Sequence, residues 1–185
     1  MEPILTDEQV YKTLVLTDDR FKVIDNNNAA STDSALELAM LSKIAVIEFC
    51  GWMEVSFDEI LENYVLNANL NPSIVKECKD EIKNVYGCDP ERNVKPLLRR
   101  ILGVKRYNGY ILSTSDLLQI CASIERIGGV SAADPAAGKM RNVAAHTNIK
   151  SPTQTYFSAP SLVLAELKKV HPLLWRLRTT IVNNY

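Results

Sequence analysis

The sequence predicts an all-α fold. Three observations carry that expectation. Gly and Pro are scarce (7 and 8 of 185 residues), apolar residues recur every three or four positions over most of the chain, and the period-two alternation of half-buried strands is absent. The apolar fraction of 46% and charged fraction of 23% are ordinary for a packed globular chain, which excludes a mostly disordered, collagenous or rod-like protein. The length suits one domain, residues 1–185, with residues 1–33 as an N-terminal extension and 89–127 as an insertion.

The elements follow from local chemistry. Thr6-Asp7-Glu8-Gln9 matches a capping box and predicts a short helix from Asp7 to Leu16. Asn-rich residues 25–31 read as a loop. Ser34-Ala35-Leu36-Glu37 is a second capping box. Leu36, Met40, Ile44, Ile47, Cys50 and Met53 then repeat at helical spacing, so one long central helix is expected over about 34–66, bent near Gly51. Asn71-Pro72 places an N-cap before a proline at the first helical position, and Gly87 is the expected stop. Asp89-Pro90 starts another helix that Gly103 ends and Pro96 can split. Residues 104–112 contain Asn108-Gly109 and read as a loop or a small hairpin. Ser115 or Asp116 caps a helix that Gly128-Gly129 closes. A helix over 136–148, a linker over 151–160 and a final helix over 161–180, kinked at Pro172, complete the chain.

Several function classes drop out. No stretch approaches 20 uninterrupted apolar residues, so no membrane span is expected. The Met-Glu-Pro start lacks a signal-peptide pattern, and Cys50, Cys78, Cys88 and Cys121 lack paired spacing. Reduced thiols and a cytoplasmic location are therefore the expectation. The segment 133–140 fails as a phosphate loop, because Ala133 and Met140 stand where Gly and Ser or Thr are needed. With two histidines, His146 and His171, and no finger or HExxH spacing, no metal or other cofactor is expected. His171, before Pro172 in an apolar helix, reads as a packing or capping residue.

Charge is unevenly distributed. Residues 1–92 carry 8 Lys+Arg against 18 Asp+Glu, and residues 93–185 carry 13 against 4. Either the halves attract each other within the fold, or the second half builds a basic surface suited to polyanions.

One segment in the basic half concentrates chemistry: Arg141-Asn142-Val143-Ala144-Ala145-His146, flanked by Lys139 and Lys150. His146 titrates near neutrality and can carry a proton. Arg141 offers a planar cationic fork to phosphate oxygens. Asn142 lies four residues before His146 and can orient its ring. Arg141 and His146, five apart, point roughly 140° apart on an ideal helix. A straight helix does not aim both at one point, whereas a distorted helix end, a wrapped Arg side chain or two copies meeting in a dimer would. A surface helix with one structural histidine is the plain alternative.

Arg141 to His146 resembles the RN-x-x-x-H form of the R-x(4–6)-H motif of HEPN-domain proteins, and Ser42 to Glu54 resembles the long early helix of several HEPN families. The resemblance implies a HEPN-like helical bundle and metal-independent cleavage of RNA in a toxin–antitoxin or antiviral setting. The ribose 2′-OH would attack, His146 would handle its proton, and Arg141 would stabilise the phosphorane. It also implies a homodimer, an antitoxin or operon partner, RNA contacts from Lys139 and Lys150, and support from Glu54 or Glu48. A non-catalytic HEPN-like module that binds RNA, a nucleotide or a protein is the alternative. Asn148 stands two residues after the histidine, where HEPN toxins neutralised by a nucleotidyltransferase commonly carry tyrosine, so the resemblance does not extend to that subgroup.

Overall fold

The computed structural model describes residues 7–27, 32–113, 115–128 and 157–183, and every regular element among them is helical. The elements are α1 (Asp7–Asn26), α2 (Thr32–Asn67), α3 (Pro72–Lys83), α4 (Lys95–Leu102, entered through a wide turn Pro90–Val94), α5 (Val104–Ser113), α6 (Asp116–Gly128) and α7 (Pro160–Asn183). The predicted helix over 136–148 and the linker as far as residue 156 lie outside the described residues. Among the described residues no helix is long and apolar enough to cross a membrane.

The chain divides into two units, Met1–Trp52 with Glu125–Lys168, and Met53–Ile124 with Lys169–Tyr185. Helices α2 and α7 each contribute one part to both.

In the first unit, α1 runs ten residues past its expected end. Leu14, Phe21 and Ile24 continue one inward face, with Leu14 and Ile24 buried. Thr17 closes the polar gap by donating its hydroxyl to the Thr13 carbonyl at 2.7 Å. Asp18 is buried and receives Lys22 at 2.6 Å, one turn on. The N-terminal part of α2 buries Ala45, Val46, Phe49 and Trp52, with the rings of Phe49 and Trp52 5.9 Å apart between centroids. Arg20 of α1 pairs with Glu37 of α2 at 2.7 Å. From α7, buried Val163 and Leu167 add to this core, and Lys168 lies over the Tyr11 ring at 5.6 Å.

In the second unit, α2 continues unbroken through Gly51 and buries Met53, Phe57, Ile60, Leu61, Tyr64 and Val65. Of the face read from the sequence, Cys50 and Met53 are buried but Met40 and Ile44 are exposed, because the buried register is set by adjacent pairs from Ala45–Val46 to Tyr64–Val65. Asn71 caps α3, its Oδ1 accepting from the Ser73 N–H at 3.0 Å. α3 ends at Lys83 rather than at Gly87: its last turn tightens, with the Asn84 N–H shared between the Asp80 and Glu81 carbonyls and the Val85 N–H on the Ile82 carbonyl at 3.2 Å. Gly87 instead takes φ +101° in the connector, a conformation that side-chain-bearing residues resist. Asp89 caps the next segment, with Oδ1 accepting from the N–H groups of Glu91 and Arg92 at 2.9 and 2.8 Å. The turn it opens is one residue wider than an α-turn: Val94 N–H reaches the Asp89 carbonyl at 3.0 Å. The helix expected from Pro90 divides beside Pro96: the wide turn ends at Val94 and α4 starts at Lys95, with Pro96 in its first turn, where a missing N–H costs nothing.

Residues 104–113 form a helix, not a loop or hairpin. Gly103 stops α4 at φ +76°, Tyr107 is buried, and Gly109 has no positive φ, so Asn108-Gly109 never makes a hairpin turn. α7 runs through Pro172, whose ring nitrogen has no hydrogen to give the carbonyl of Lys168. Its apolar face, including buried Val170, Leu173, Leu174 and Leu177, completes this second core.

Candidate functional site

Five of the seven predicted site residues, Lys139, Arg141, Asn142, His146 and Lys150, lie outside the described residues. Glu48 and Glu54 both lie on α2, half-buried. Six positions on a straight helix separate them by roughly 120°, so they do not serve one point together. They also belong to different units, Glu48 to the first and Glu54 to the second.

Glu54 has a defined structural task. Its Oε1 accepts a hydrogen bond from the backbone N–H of Gly87, tying the connector after α3 to α2. Beside that bond lies an open recess of about 290 Å³. Glu54, Phe57 and Asp58 of α2 form one wall, and Gly87, Asn93 and Leu98 contribute to the other. Asn93 is fixed by its own bond, its Nδ2 donating to the Tyr86 carbonyl at 2.9 Å.

Asp58 is the most perturbed carboxyl described here. Burial raises its pKa from the ordinary carboxylate range to about 7, and the neighbouring charges of Glu54 and Glu62 push the same way. Glu54, Asp58 and Glu62 are four residues apart in turn and therefore form a row on one face of α2. Near neutrality, Asp58 can act as a hydrogen-bond donor and a proton carrier. Among the described residues, no cation, histidine or nucleophile lines the recess with it. A row of acids repels phosphate, so this recess is unsuited to a phosphodiester on electrostatic grounds. The spacing 54, 58, 62 was visible in the sequence. The burial that makes the middle carboxyl hold its proton was not.

His171 lies half-buried in α7. Among the described residues no group of three or more His, Cys, Asp or Glu side chains is placed to hold a metal ion.

No protein-family model, curated protein or solved structure matches this chain.

Proposed function

We propose that this protein is a metal-independent endoribonuclease of HEPN type, working as a toxin or phage-defence effector at a composite site in a homodimer. The observation that carries the reading is the segment Arg141-Asn142-Val143-Ala144-Ala145-His146 in an all-α chain. In this reading His146 removes the proton from a ribose 2′-OH. The freed oxygen attacks the adjacent phosphorus, and the 5′-oxygen leaves and takes a proton from water. Arg141 neutralises the charge that grows on the non-bridging oxygens, which is where a preorganised cation lowers the barrier. Asn142 orients the imidazole. The products are a 2′,3′-cyclic phosphate and a 5′-hydroxyl. Lys139 and Lys150 hold the RNA backbone beside the site. A second copy supplies the other motif, which removes the difficulty that Arg141 and His146 diverge on one helix. The same reading implies an antitoxin or operon partner in the cytoplasm that keeps the activity in check. Glu54, tied to Gly87, supports the fold of the connector, and Glu54 or Glu48 supports Arg141 or His146 in this reading.

The test is RNA cleavage by purified protein in excess EDTA, wild type beside Arg141→Ala and His146→Ala, with the product ends identified. Cleavage by wild type alone, leaving cyclic phosphate, is expected. Cleavage that survives His146→Ala overturns the assignment. Folded proteins that all fail to cleave, yet shift RNA in a gel, point to the non-catalytic binding module.

A further inference from the structure

We propose that the exposed cationic face of the wide turn, α4 and the start of α5 holds a single-stranded RNA backbone, with Tyr86 as a stacking platform for a base.

The charge is concentrated and only partly opposed. From residue 92 to residue 115 the chain holds Arg92, Lys95, Arg99, Arg100, Lys105 and Arg106 and not one acid. Two of these are engaged: Lys95 pairs with Glu91, and Arg100 with Glu81 of α3. Arg106 donates to the neutral Tyr64 hydroxyl. Arg92, Arg99 and Lys105 are exposed, and none has a carboxylate partner among the described residues. Arg99 is held in place all the same. Its guanidinium lies 5.0 Å from the centroid of the buried Tyr107 ring, which bridges α4 to α5 and keeps one face of the fork outward. Preplaced, unpaired guanidinium and ammonium groups lose little on meeting phosphate and release its condensed counterions.

The aromatic partner stands just before that stretch, in the connector after α3. Tyr86 exposes 77% of its surface, an unusual exposure for a large ring in a folded chain. Its backbone carbonyl is fastened by the Asn93 side chain, next to Arg92. Cations that track a backbone, beside a ring that takes an unpaired base, form the combination by which proteins hold single strands. A duplex hides its bases and would use only the charge. The choice of RNA rests on the ribonuclease reading, whereas the polyanion chemistry of this face does not.

The test is fluorescence anisotropy of the full chain with a labelled single-stranded 2′-O-methyl RNA. That strand cannot be cleaved through its 2′-oxygen, so binding is read without activity. The triple variant Arg92→Gln, Arg99→Gln, Lys105→Gln is expected to bind at least about tenfold more weakly. Its plot of log affinity against log salt should be shallower by about 2, the slope of three single-strand phosphate contacts. Tyr86→Ala should lose about fivefold to 150-fold on the single strand and nothing on a duplex. A control with the same net charge, Lys12→Gln, Arg20→Gln, Lys22→Gln on α1, should bind like wild type. The proposal falls if wild type does not bind, if the salt slope is unchanged in the triple variant, if the α1 control weakens equally, or if Tyr86→Ala loses equally on duplex and single strand. Should the triple variant melt early, Lys105→Gln alone carries the slope test at one phosphate. Binding that follows this pattern in a protein that fails to cleave RNA would sink the ribonuclease reading and leave this face standing. Cleavage with an unchanged slope would do the reverse.

Discussion

Glu54 and Gly87, 33 residues apart in sequence, are joined by a hydrogen bond from the glycine N–H to the glutamate carboxylate. The bond closes a loop that contains α3 and fixes where the chain turns toward α4. Gly87 adopts φ +101° there, so the backbone conformation and the acceptor specify the same geometry. A charged acceptor makes this a stronger bond than one between neutral groups.

Substituting Gly87 tests the joint. An added Cβ would meet only the Asn93 Oδ1, at an ordinary 3.8 Å, so space is not the obstacle. The obstacle is the positive φ. Gly87→Ala is expected to lower stability by about 1–2 kcal/mol, read as a shift in the urea midpoint. Glu54→Ala should cost about 1.5–3 kcal/mol, as for a lost bond to a charged group. The double variant should cost less than the sum, because both changes break one joint.

Asp58, which lines the recess beside that bond, gives the fold a pH dependence. Its folded pKa of about 7 lies above that of an unfolded aspartate, so the folded state binds the extra proton. Its contribution is fully present below the unfolded value, about 4, and is lost as pH rises through about 7. Asp58→Asn, which cannot ionise, is therefore expected to be more stable than wild type at pH 8 and to lose that advantage by pH 4. Because the group is partly exposed, screening reduces the difference to about 1–2 kcal/mol. Chemical denaturation across that range checks it. A difference that is constant with pH would show that Asp58 keeps an ordinary pKa.

The sequence was most informative where local chemistry and burial agree. The paired apolar positions of α2 from Ala45 to Val65 repeat too regularly to be anything but helix, and the caps at Asn71 and Asp89 are the ones the structure uses. It misled where a local signal lacked its context. Asn108-Gly109 is a hairpin signal only if glycine takes positive φ, and burial of Tyr107 holds the segment helical instead. The sequence reading ends α1 at Leu16, but Thr17 gives its hydroxyl to the Thr13 carbonyl, Lys22 pairs with Asp18 Oδ2, and the helix runs on to Asn26. Of the site, only Glu48 and Glu54 fall among the described residues, and no one-dimensional signal placed Glu54 against Gly87. Hydrogen bonds between distant segments depend on register in three dimensions, which spacing along the chain does not encode.

Asp116 and Arg176 supply a third test. Arg176 reaches the carboxylate with both Nε and Nη2, at 3.0 and 2.9 Å, joining the first turn of α6 to α7. The two partners are unequally exposed, Asp116 at 12% of its side chain and Arg176 at 56%. Removing the arginine therefore strands a buried carboxylate, while removing the aspartate leaves a guanidinium that water can still reach. Arg176→Ala is expected to cost about 2–4 kcal/mol and Asp116→Asn about 1–2 kcal/mol. Arg176→Lys should fall between wild type and Arg176→Ala, since an ammonium cannot make the two-pronged contact. Equal losses for Arg176→Ala and Asp116→Asn would refute the argument from burial.

Ser56 and Ser123 are expected to behave opposite to ordinary core residues. Both are completely buried, on α2 and α6, and the hydroxyl of neither has a hydrogen-bond partner among the described residues. Each has been taken out of water with no bond in return, which penalises the folded state. Alanine removes the hydroxyl and little volume, and it is the better helix former by a few tenths of a kcal/mol. Ser123→Ala and Ser56→Ala should therefore leave stability unchanged or raise it by up to about 1 kcal/mol. Ser123→Val, which keeps the bulk of the oxygen and adds a methyl group, separates the two causes. If the penalty is the stranded hydroxyl and the site has room, the valine variant is also at least as stable as wild type. If the packing around α6 is tight, it costs about 1–3 kcal/mol while the alanine variant does not. A loss of more than 1 kcal/mol in Ser123→Ala, measured by thermal and urea unfolding, would mean that the hydroxyl makes a bond in solution.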